Sequence, residues 1–214
     1  MNEPLGGSWN AGRHPAPHTP LDAGGAAEPA VLERLHARLV NAAAQEHLLD
    51  IAYRIVDTPI GPLLLAASEQ GLLRVAYARE GHDAVLEKLA ARISPRILLA
   101  PARLDRAASE LEEYFARRRT HFDLPLDFRL AKGFRREVLN HLPDIGYGQK
   151  ASYAAVAAAA GSPRAVRAVG TACATNPLPV VLPCHRVVRS DGTAGGYVGG
   201  PDAKRALLEL EAAA

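Results

Sequence analysis

Residues 176–187 read NPLPVVLPCHRV, an apolar run punctuated by prolines that ends in a cysteine followed by a histidine. Cys184 beside His185 is a possible nucleophile with its base, since the thiolate is the reactive form of cysteine and needs a proton acceptor. Neighbouring side chains on an extended chain point to opposite sides, so contact between these two requires a turned backbone or a bridging water. A buried structural cysteine is the commoner alternative. The dipeptide alone does not decide between them.

Two short helices joined by a tight turn are predicted immediately before this run. The first is Ser152–Ala160, which stops at a glycine. Ser162 and Pro163 then supply an N-cap and a first-turn proline for a second helix over Pro163–Thr175. Such a pair is typical of helix-turn-helix proteins that bind DNA, although many helix pairs only pack against each other.

The second of these helices has small side chains on much of its surface. Its residues with almost no bulk are Ala165, Ala168, Gly170 and Ala172. Arg164 and Arg167, three residues apart, share a face, and small residues beside an arginine suit close, sequence-indifferent approach to a minor groove. The alternative is a helix packed tightly in a core, for which Val166, Val169 and Cys173 form a suitable stripe.

Residues 50–128 are predicted to form a small α+β domain. Short turns separate three apolar or β-branched runs, which indicates an antiparallel meander of Ile51–Val56, Leu63–Ala67 and Leu72–Tyr77. Helices are predicted over His82–Ile93 and Leu104–Arg118. We find no convergent set of chemically active side chains in this segment.

The N-terminal segment differs from the rest of the chain in composition. Residues 1–29 hold 5 of the 16 prolines and 5 of the 18 glycines, with few large apolar side chains, which predicts a flexible extension. Residues 30–49 follow helical periodicity through Leu32, Leu35 and Leu39, which predicts an amphipathic helix docked on the body of the protein.

The whole-chain composition is that of a soluble globular protein. The 214 residues are 48% hydrophobic and 22% charged, and no apolar run approaches the roughly 18 residues that a membrane span needs. We see no secretory signal. Two cysteines cannot form a disulfide framework, and there is no CxxC pair for zinc. We therefore expect a cytoplasmic protein with reduced thiols and no metal.

Charge is distributed unevenly along the chain. Residues 129–214 hold 11 Lys and Arg against 6 Asp and Glu, a net charge of +5, whereas residues 1–128 carry −3. A basic C-terminal half suggests an anionic partner. An accidental distribution over a solvated surface explains the asymmetry equally well.

The pattern of spaced motifs closely resembles the methylated-DNA–protein-cysteine methyltransferases, the DNA-repair alkyltransferases that remove alkyl groups from guanine O6. The resemblance is dense from Gly133 to Glu211 and looser over residues 51–128, and residues 1–48 match nothing in that family. Its motifs are PCHRV from Pro183 to Val187, Gly195–Gly200, Ser152-Tyr153, Arg164–Gly170, Asn176-Pro177 and Lys204.

The resemblance implies a role for each catalytic side chain. Cys184 accepts the alkyl group in one in-line displacement, His185 takes the thiol proton through a water, and Glu211 holds the histidine tautomer, an arrangement similar to a catalytic triad. Asn176 braces the turn that places the cysteine. Tyr153 matches the phenol that donates a proton to the purine N3 of the leaving guanine.

The resemblance also implies how the base is reached. The damaged nucleotide is flipped out of the duplex at a cost of a few kcal/mol, and Arg167 is the finger that fills the vacated stack. Tyr197 packs on the extruded base, while Pro179 forms an apolar wall. Val187 and Cys184 offer carbonyls to the guanine amine. The expected DNA-contacting residues are Arg167, Arg164, Ala165, Val166, Gly170 and Ser152.

The resemblance implies a two-domain α+β fold. Residues 50–128 form a ribonuclease H-like domain with an antiparallel sheet, and residues 129–214 form a helical, winged-helix-like domain with the helix-turn-helix and the reactive cysteine. The expected partner is double-stranded DNA with an alkylated guanine, bound from the minor groove by a monomer that needs no cofactor. Val198 is expected at the substrate through its backbone N–H, which can reach guanine O6, but it replaces a hydroxyl residue of some relatives, which alters the polarity of the pocket.

Two other functions are compatible with parts of the pattern. A lesion sensor without chemistry would bind the same DNA, but such proteins replace the reactive cysteine that is present here. A cysteine hydrolase using Cys184 and His185 would turn over an ester or amide without DNA, and it gives Arg167 no role. The N-terminal 48 residues could recruit a protein partner, which their composition does not test.

Overall fold

The computed structural model describes residues 28–212, so the predicted flexible extension over 1–29 lies almost entirely outside the described residues. Helix α1 spans Pro29–Gln45, shorter than the predicted 30–49. It ends because His47 adopts φ 53° and the Leu48 N–H turns back to the Ala43 carbonyl at 2.7 Å. The chain divides into two units within α1, between Ala37 and Arg38, and all later elements belong to the second unit.

A four-stranded sheet forms the first half of the second unit, in the order β3-β2-β1-β4. Its strands are β1 (Ile51–Val56), β2 (Leu63–Ser68), β3 (Gly71–Tyr77) and β4 (Ile97–Leu99). The predicted antiparallel meander β1-β2-β3 is confirmed, with Tyr53 opposite Ala66 and Leu65 opposite Val75. The prediction omitted β4, which has three residues and pairs in parallel with β1.

Two helices pack against opposite faces of this sheet. Helix α2 spans His82–Arg92 and buries Val85 and Leu89 in the smaller core cluster, together with Leu64 and Leu73 of the sheet. Helix α3 spans Asp105–Phe115 and contributes to the larger cluster. It stops before the predicted end because Arg117 takes φ 59°. Short 3₁₀ turns occupy Ala78–Glu80, Pro101–Leu104, Phe128–Leu130 and Leu142–Asp144.

Helices and one short strand pair form the second half of the unit. Its elements are α4 (Phe134–Asn140), β5 (Ala151–Ser152), α5 (Tyr153–Ala159), α6 (Val166–Ala174), a 3₁₀ turn (Cys184–Arg186), β6 (Val187–Val188) and α7 (Gly200–Ala212). Strands β5 and β6 pair in parallel. This pairing joins the start of α5 to the chain that follows the reactive cysteine.

The predicted start of α6 is wrong. The chain from Ser162 to Ala165 forms a turn, which is closed by a hydrogen bond from the Ala165 N–H to the Ser162 carbonyl at 2.8 Å. The first helical hydrogen bond of α6 runs from the Val169 N–H to the Ala165 carbonyl at 3.1 Å. Arg164 therefore precedes the helix and does not share a helical face with Arg167. The predicted core stripe also changes, because Val166 is 38% exposed and Ala172 is buried in its place.

One continuous core joins the sheet to the helical half. The larger cluster runs in sequence from Ala43 to Leu207 and includes Tyr114 of α3 and Cys184. Main-chain bonding crosses the same boundary, since the Val75 N–H donates to the Pro177 carbonyl at 2.8 Å. The division into domains at residue 128 stays a prediction. Within residues 28–212, none of the helices is both long enough and apolar enough to span a membrane.

Candidate active site

Cys184 begins the short 3₁₀ turn after Pro183, and its side chain is almost completely buried, with 1% of the residue exposed. The Asn176 side-chain amide donates to the Cys184 Sγ at 3.1 Å. Burial raises the pKa of the thiol to about 11, although this hydrogen bond and the positive charge of Lys204 act in the opposite direction. At neutral pH the resting protein therefore holds a protonated thiol.

Asn176 also fixes the loop that leads to the cysteine. Its Nδ2 donates to the Leu182 carbonyl at 2.9 Å, and its Oδ1 accepts from the Leu178 N–H at 2.9 Å. Between these anchors Val180 is held at φ 73°, a left-handed conformation that is rare for a β-branched residue. The asparagine thus hydrogen-bonds to both sides of a strained loop, and its bracing role for the reactive cysteine stays a prediction.

Glu211 of α7 lies at the centre of a buried network. Its Oε1 accepts from Tyr114 Oη at 2.6 Å, His185 Nε2 at 2.9 Å and Arg186 Nη2 at 2.9 Å. Its Oε2 accepts from Arg186 Nε at 2.9 Å and from the Gly148 N–H at 3.2 Å. Burial raises the pKa of Glu211, but these hydrogen bonds outweigh burial and hold the pKa far below its usual range.

His185 is neutral in this setting. Burial lowers its pKa, and Glu211 opposes this effect. The net shift of the His185 pKa is downward because Arg186 already neutralises the Glu211 carboxylate in a bidentate ion pair. Since an ionised Glu211 accepts from Nε2, Nε2 carries the proton and Nδ1 is the basic atom. Nδ1 is buried and has no hydrogen-bond partner within the described chain.

Two members of this network come from places that the sequence did not indicate. Tyr114 lies on α3, in the segment where we found no chemically active side chains, and it is completely buried. The three-residue spacing of Tyr114 from Leu111 predicts only a core residue. Its hydroxyl donates to Glu211, which lies 97 positions later in the sequence. Arg186 belongs to the PCHRV motif, but no role was predicted for it from the sequence. Its guanidinium forms the ion pair with Glu211.

The glycine-rich loop before α7 lies against the same site. Tyr197 packs edge-on to His185, with ring centroids 6.3 Å apart, and its hydroxyl lies 2.9 Å from the Tyr77 hydroxyl. A Cβ on Gly195 would collide with the Tyr153 ring, so glycine is required for this approach. Ser152 caps α5 by accepting from the Ala155 N–H at 3.1 Å.

The structure places the remaining predicted pocket residues close to this loop or beneath it. Lys204 Nζ donates to the Val187 carbonyl at 2.7 Å and lies 3.4 Å from the Gly195 carbonyl, so the Val187 carbonyl predicted to meet guanine already has one protein donor. The Cys184 carbonyl accepts from the Val187 N–H. Pro179 is buried, and Val198 is partly exposed at the edge of a groove.

Four of the six predicted DNA-contacting residues, Arg164 to Arg167, lie at or just before the start of α6, while Ser152 lies at the start of α5 and Gly170 in the middle of α6. Arg167 and Arg164 are exposed, and neither forms an ion pair within the described residues. A Cβ on Gly170 would meet no atom within 4 Å, so the fold itself does not require glycine there. Ala165 and Ser152 are partly exposed, and Val166 is exposed. These positions leave room for a close external partner.

The geometry defines a class of protein: one with a buried, protonated cysteine, a neutral histidine next to it in sequence, and a carboxylate that accepts a hydrogen bond from that histidine. Asn176, Cys184, His185 and Glu211 are brought together as the sequence predicted, and their catalytic roles stay predictions. Two family models match the chain, "6-O-methylguanine DNA methyltransferase, ribonuclease-like domain" over residues 51–128 and "6-O-methylguanine DNA methyltransferase, DNA binding domain" over residues 133–213.

Comparisons with individual proteins agree. A methylated-DNA–protein-cysteine methyltransferase of Mycobacterium tuberculosis is 39% identical over 161 residues, which is 75% of this chain and 92% of that protein. The bifunctional transcriptional activator/DNA repair enzyme Ada of Escherichia coli is 39% identical over 77% of this chain and 46% of its own length. The crystal structure of Mycobacterium tuberculosis OGT in complex with DNA is 38% identical, covers 76% of this chain and 93% of that one, and superimposes with a TM-score of 0.67. The chain belongs to the 6-O-methylguanine DNA methyltransferase family.

Proposed function

We propose that this protein repairs DNA by moving the alkyl group of 6-O-alkylguanine onto Cys184, irreversibly and once per molecule. The observation that carries the proposal is the buried Cys184 thiol, held by Asn176 at 3.1 Å beside the His185–Glu211 pair. Curated relatives that align with this chain over 92% to 96% of their own length bear the name of this activity. The protein itself is the reagent that is consumed, so the reaction calls for no cofactor.

The chemistry is a single displacement. The Cys184 Sγ attacks the alkyl carbon as the carbon–O6 bond breaks, and the electron pair leaves with the guanine. The thiol proton passes to Nδ1 of His185 through a bridging water, because the described structure has no direct hydrogen bond between these side chains. The Tyr153 hydroxyl delivers a proton to the purine N3, which completes a neutral guanine, and solvent returns the proton held by His185 to the tyrosine. The thioether that remains has no proton to lose and no leaving group, so the acceptor is spent.

In the same proposal the DNA duplex binds to the surface around α6. A relative with 38% identity has been crystallised in complex with DNA. Small, partly exposed positions such as Gly170 permit close approach of a duplex, and Arg167 is free to enter the stack from the minor groove. In this scheme one molecule acts alone, residues 129–214 carry the chemistry, and residues 50–128 supply Tyr114 to the network beneath it.

The test is the intact mass of the protein after incubation with a duplex that carries one 6-O-methylguanine, followed by peptide mapping. We expect a gain of one methyl group per molecule, located on Cys184. Cys173→Ala should still gain it and Cys184→Ala should not, which makes the two cysteine variants matched controls. A protein that binds the lesion tightly and gains no mass would be a sensor, and one that turns over esters without DNA would be a hydrolase.

A further inference from the structure

A second surface feature lies beside the active site. A groove of about 440 Å³ runs between α2 and the start of α4, and a neighbouring cavity of about 470 Å³ extends it, since both are lined by Arg92, Leu130 and Arg135. We call this surface the basic groove, after its cationic lining residues Arg74, Lys88, Arg92, Arg129, Lys132 and Arg135.

Most of this charge is not neutralised by the protein. Arg74 pairs with Glu80, and Arg129 pairs with Asp127 at 2.7 Å. The other four cations form no ion pair with any carboxylate in the part of the chain that the structure describes: Lys88, Arg92, Lys132 and Arg135. Like charges held together on one surface repel each other, so such a cluster indicates an anionic ligand.

Two of the free cations are aligned for a shared partner. Lys88 and Arg92 lie four residues apart on α2, so their side chains project from the same face of the helix. Both are exposed, while Val85 and Leu89 of the same helix are buried against the sheet. Arg135, on the opposite side of the groove, donates to Thr175 Oγ1 at 3.4 Å, and its Nε is buried without a partner among residues 28–212.

The groove begins at the C-terminal end of α6, where Ala174 lines it. Its wall includes Thr175, directly after α6, and also Asn176 and Val198 of the active site. From Arg167 to Thr175 the chain advances eight residues, or roughly 12 Å along a helix. For an α6 laid along the duplex axis, where phosphates follow one another every ~3.4 Å on each strand, this spacing corresponds to about three or four base pairs.

We propose that the basic groove binds the phosphate backbone of the duplex three to four base pairs from the damaged nucleotide. This inference rests on the proposed function, because it takes the duplex on α6 as its starting point. Its occupant is DNA rather than an acidic peptide, since the cations follow an open groove that continues from α6. Phosphate contacts of this kind add affinity and orientation without reading sequence.

The test is the salt dependence of binding to a duplex that carries 6-O-methylguanine. The variant Lys88→Ala/Arg92→Ala removes two exposed cations, and the slope of log affinity against log salt should fall by about 0.9 for each lost phosphate contact. At 0.1 M salt this corresponds to a loss of affinity on the order of 50-fold, which should vanish as the salt approaches 1 M. Transfer from the free base 6-O-methylguanine should be unchanged, since neither residue touches the reactive site.

The matched control is Arg38→Ala/Arg118→Ala, which removes the same charge from exposed helix and turn positions that do not line the groove. It should keep the wild-type slope. A duplex too short to extend past α6 should bind the groove variant and the wild type equally. The proposal is overturned if the groove variant keeps the wild-type slope, or if the control loses as much.

The two proposals fail in different ways. A wild-type protein that gains a methyl group while the groove variant keeps its salt slope contradicts the groove alone. If the wild type gains no methyl group but the salt slope of DNA binding falls in the groove variant, alkyl transfer is contradicted and the groove proposal is supported. Binding of a glutamate-rich peptide to the wild type that is lost in the groove variant, without any change in the salt slope for DNA, would assign the groove to an acidic protein partner.

Discussion

Glu211→Gln is the substitution for which the structure makes the sharpest prediction. It changes one oxygen for an amide NH₂ of the same size and removes one negative charge. The carboxylate it replaces accepts five hydrogen bonds, two of them from Arg186, and both residues are buried. Among the described residues, Glu211 is the only carboxylate paired with that guanidinium.

The magnitude follows from the positions of the donors. Arg186 donates to both carboxylate oxygens, so the new NH₂ faces a guanidinium N–H in either orientation of the glutamine. In one orientation it also opposes the Gly148 N–H, and in the other it opposes Tyr114 and His185. Breaking a buried ion pair from one side costs about 3–5 kcal/mol. This is a large part of the total stability of a domain, which is about 5–15 kcal/mol.

The assay is urea unfolding of the full chain followed by circular dichroism, with the free energy obtained from the midpoint and the slope. Glu209→Gln, two residues away on the exposed side of α7, is the matched control and should change stability by less than about 0.5 kcal/mol. Removing both charges in Glu211→Gln/Arg186→Met should recover at least half of the loss, because no buried charge is then left alone.

The reasoning fails if Glu211→Gln unfolds within about 1 kcal/mol of the wild type. Arg186 would then be stabilised by something other than Glu211, and the buried network would not be the device that holds His185. If stability falls as expected, a loss of alkyl transfer in Glu211→Gln must be measured on protein that is shown to be folded. Only the remaining loss of rate then reports the histidine tautomer.

Four further outcomes are expected. Tyr114→Phe keeps the ring packing and loses one charge-assisted hydrogen bond, so it should lower the free energy of unfolding by about 1.5–3 kcal/mol in the same urea assay. Because native His185 stays neutral below the usual histidine pKa of about 6.5 while the unfolded chain takes up a proton, stability should be complete above pH 6.5. The free energy of unfolding should fall as the pH drops towards 5.5, by up to about 1.4 kcal/mol per pH unit, when urea unfolding is repeated across this pH range. A thiol reagent at pH 8 should titrate two cysteines in unfolded protein and neither Cys173 nor Cys184 rapidly in native protein, since both are buried with raised pKa values; a fast native reaction would contradict this. Arg167→Ala should slow transfer from duplex DNA much more than transfer from the free modified base, and equal losses would remove its role in base flipping.

The elements with strong local patterns could be predicted from the sequence. The three strands of the meander alternate with short turns, and their predicted bounds differ from the structure by one residue at most. The start of α6 was misjudged because a serine followed by proline is a good N-terminal signal, whereas the chain uses these residues in a separate turn. Strand β4 has only three residues, Ile97–Leu99, and its formation depends on the partner strand β1 rather than on its own pattern.

The residues of the candidate site can likewise be divided into those that carry a local sequence signal and those that do not. Cys184, His185 and Asn176 lie within nine residues of one another, so their motif reveals them together. Tyr114 acts across 97 positions and carries no local signal beyond that of a core residue. The strained φ of 73° at Val180 is likewise imposed from outside, by the hydrogen bonds that Asn176 makes to both ends of the loop.

Burial of the thiol has a consequence for how a single-use acceptor survives in the cell. With a pKa of about 11, Cys184 is ionised at neutral pH in only about one molecule in ten thousand. An exposed thiolate would be consumed by any soluble electrophile, and each such event would cost a whole protein molecule. Here the thiol is protonated and covered in the resting protein, and in the proposed mechanism it loses its proton to His185 only when a substrate is bound. The raised pKa therefore does not weaken the proposed nucleophile; it makes reactivity depend on the bound alkylated base.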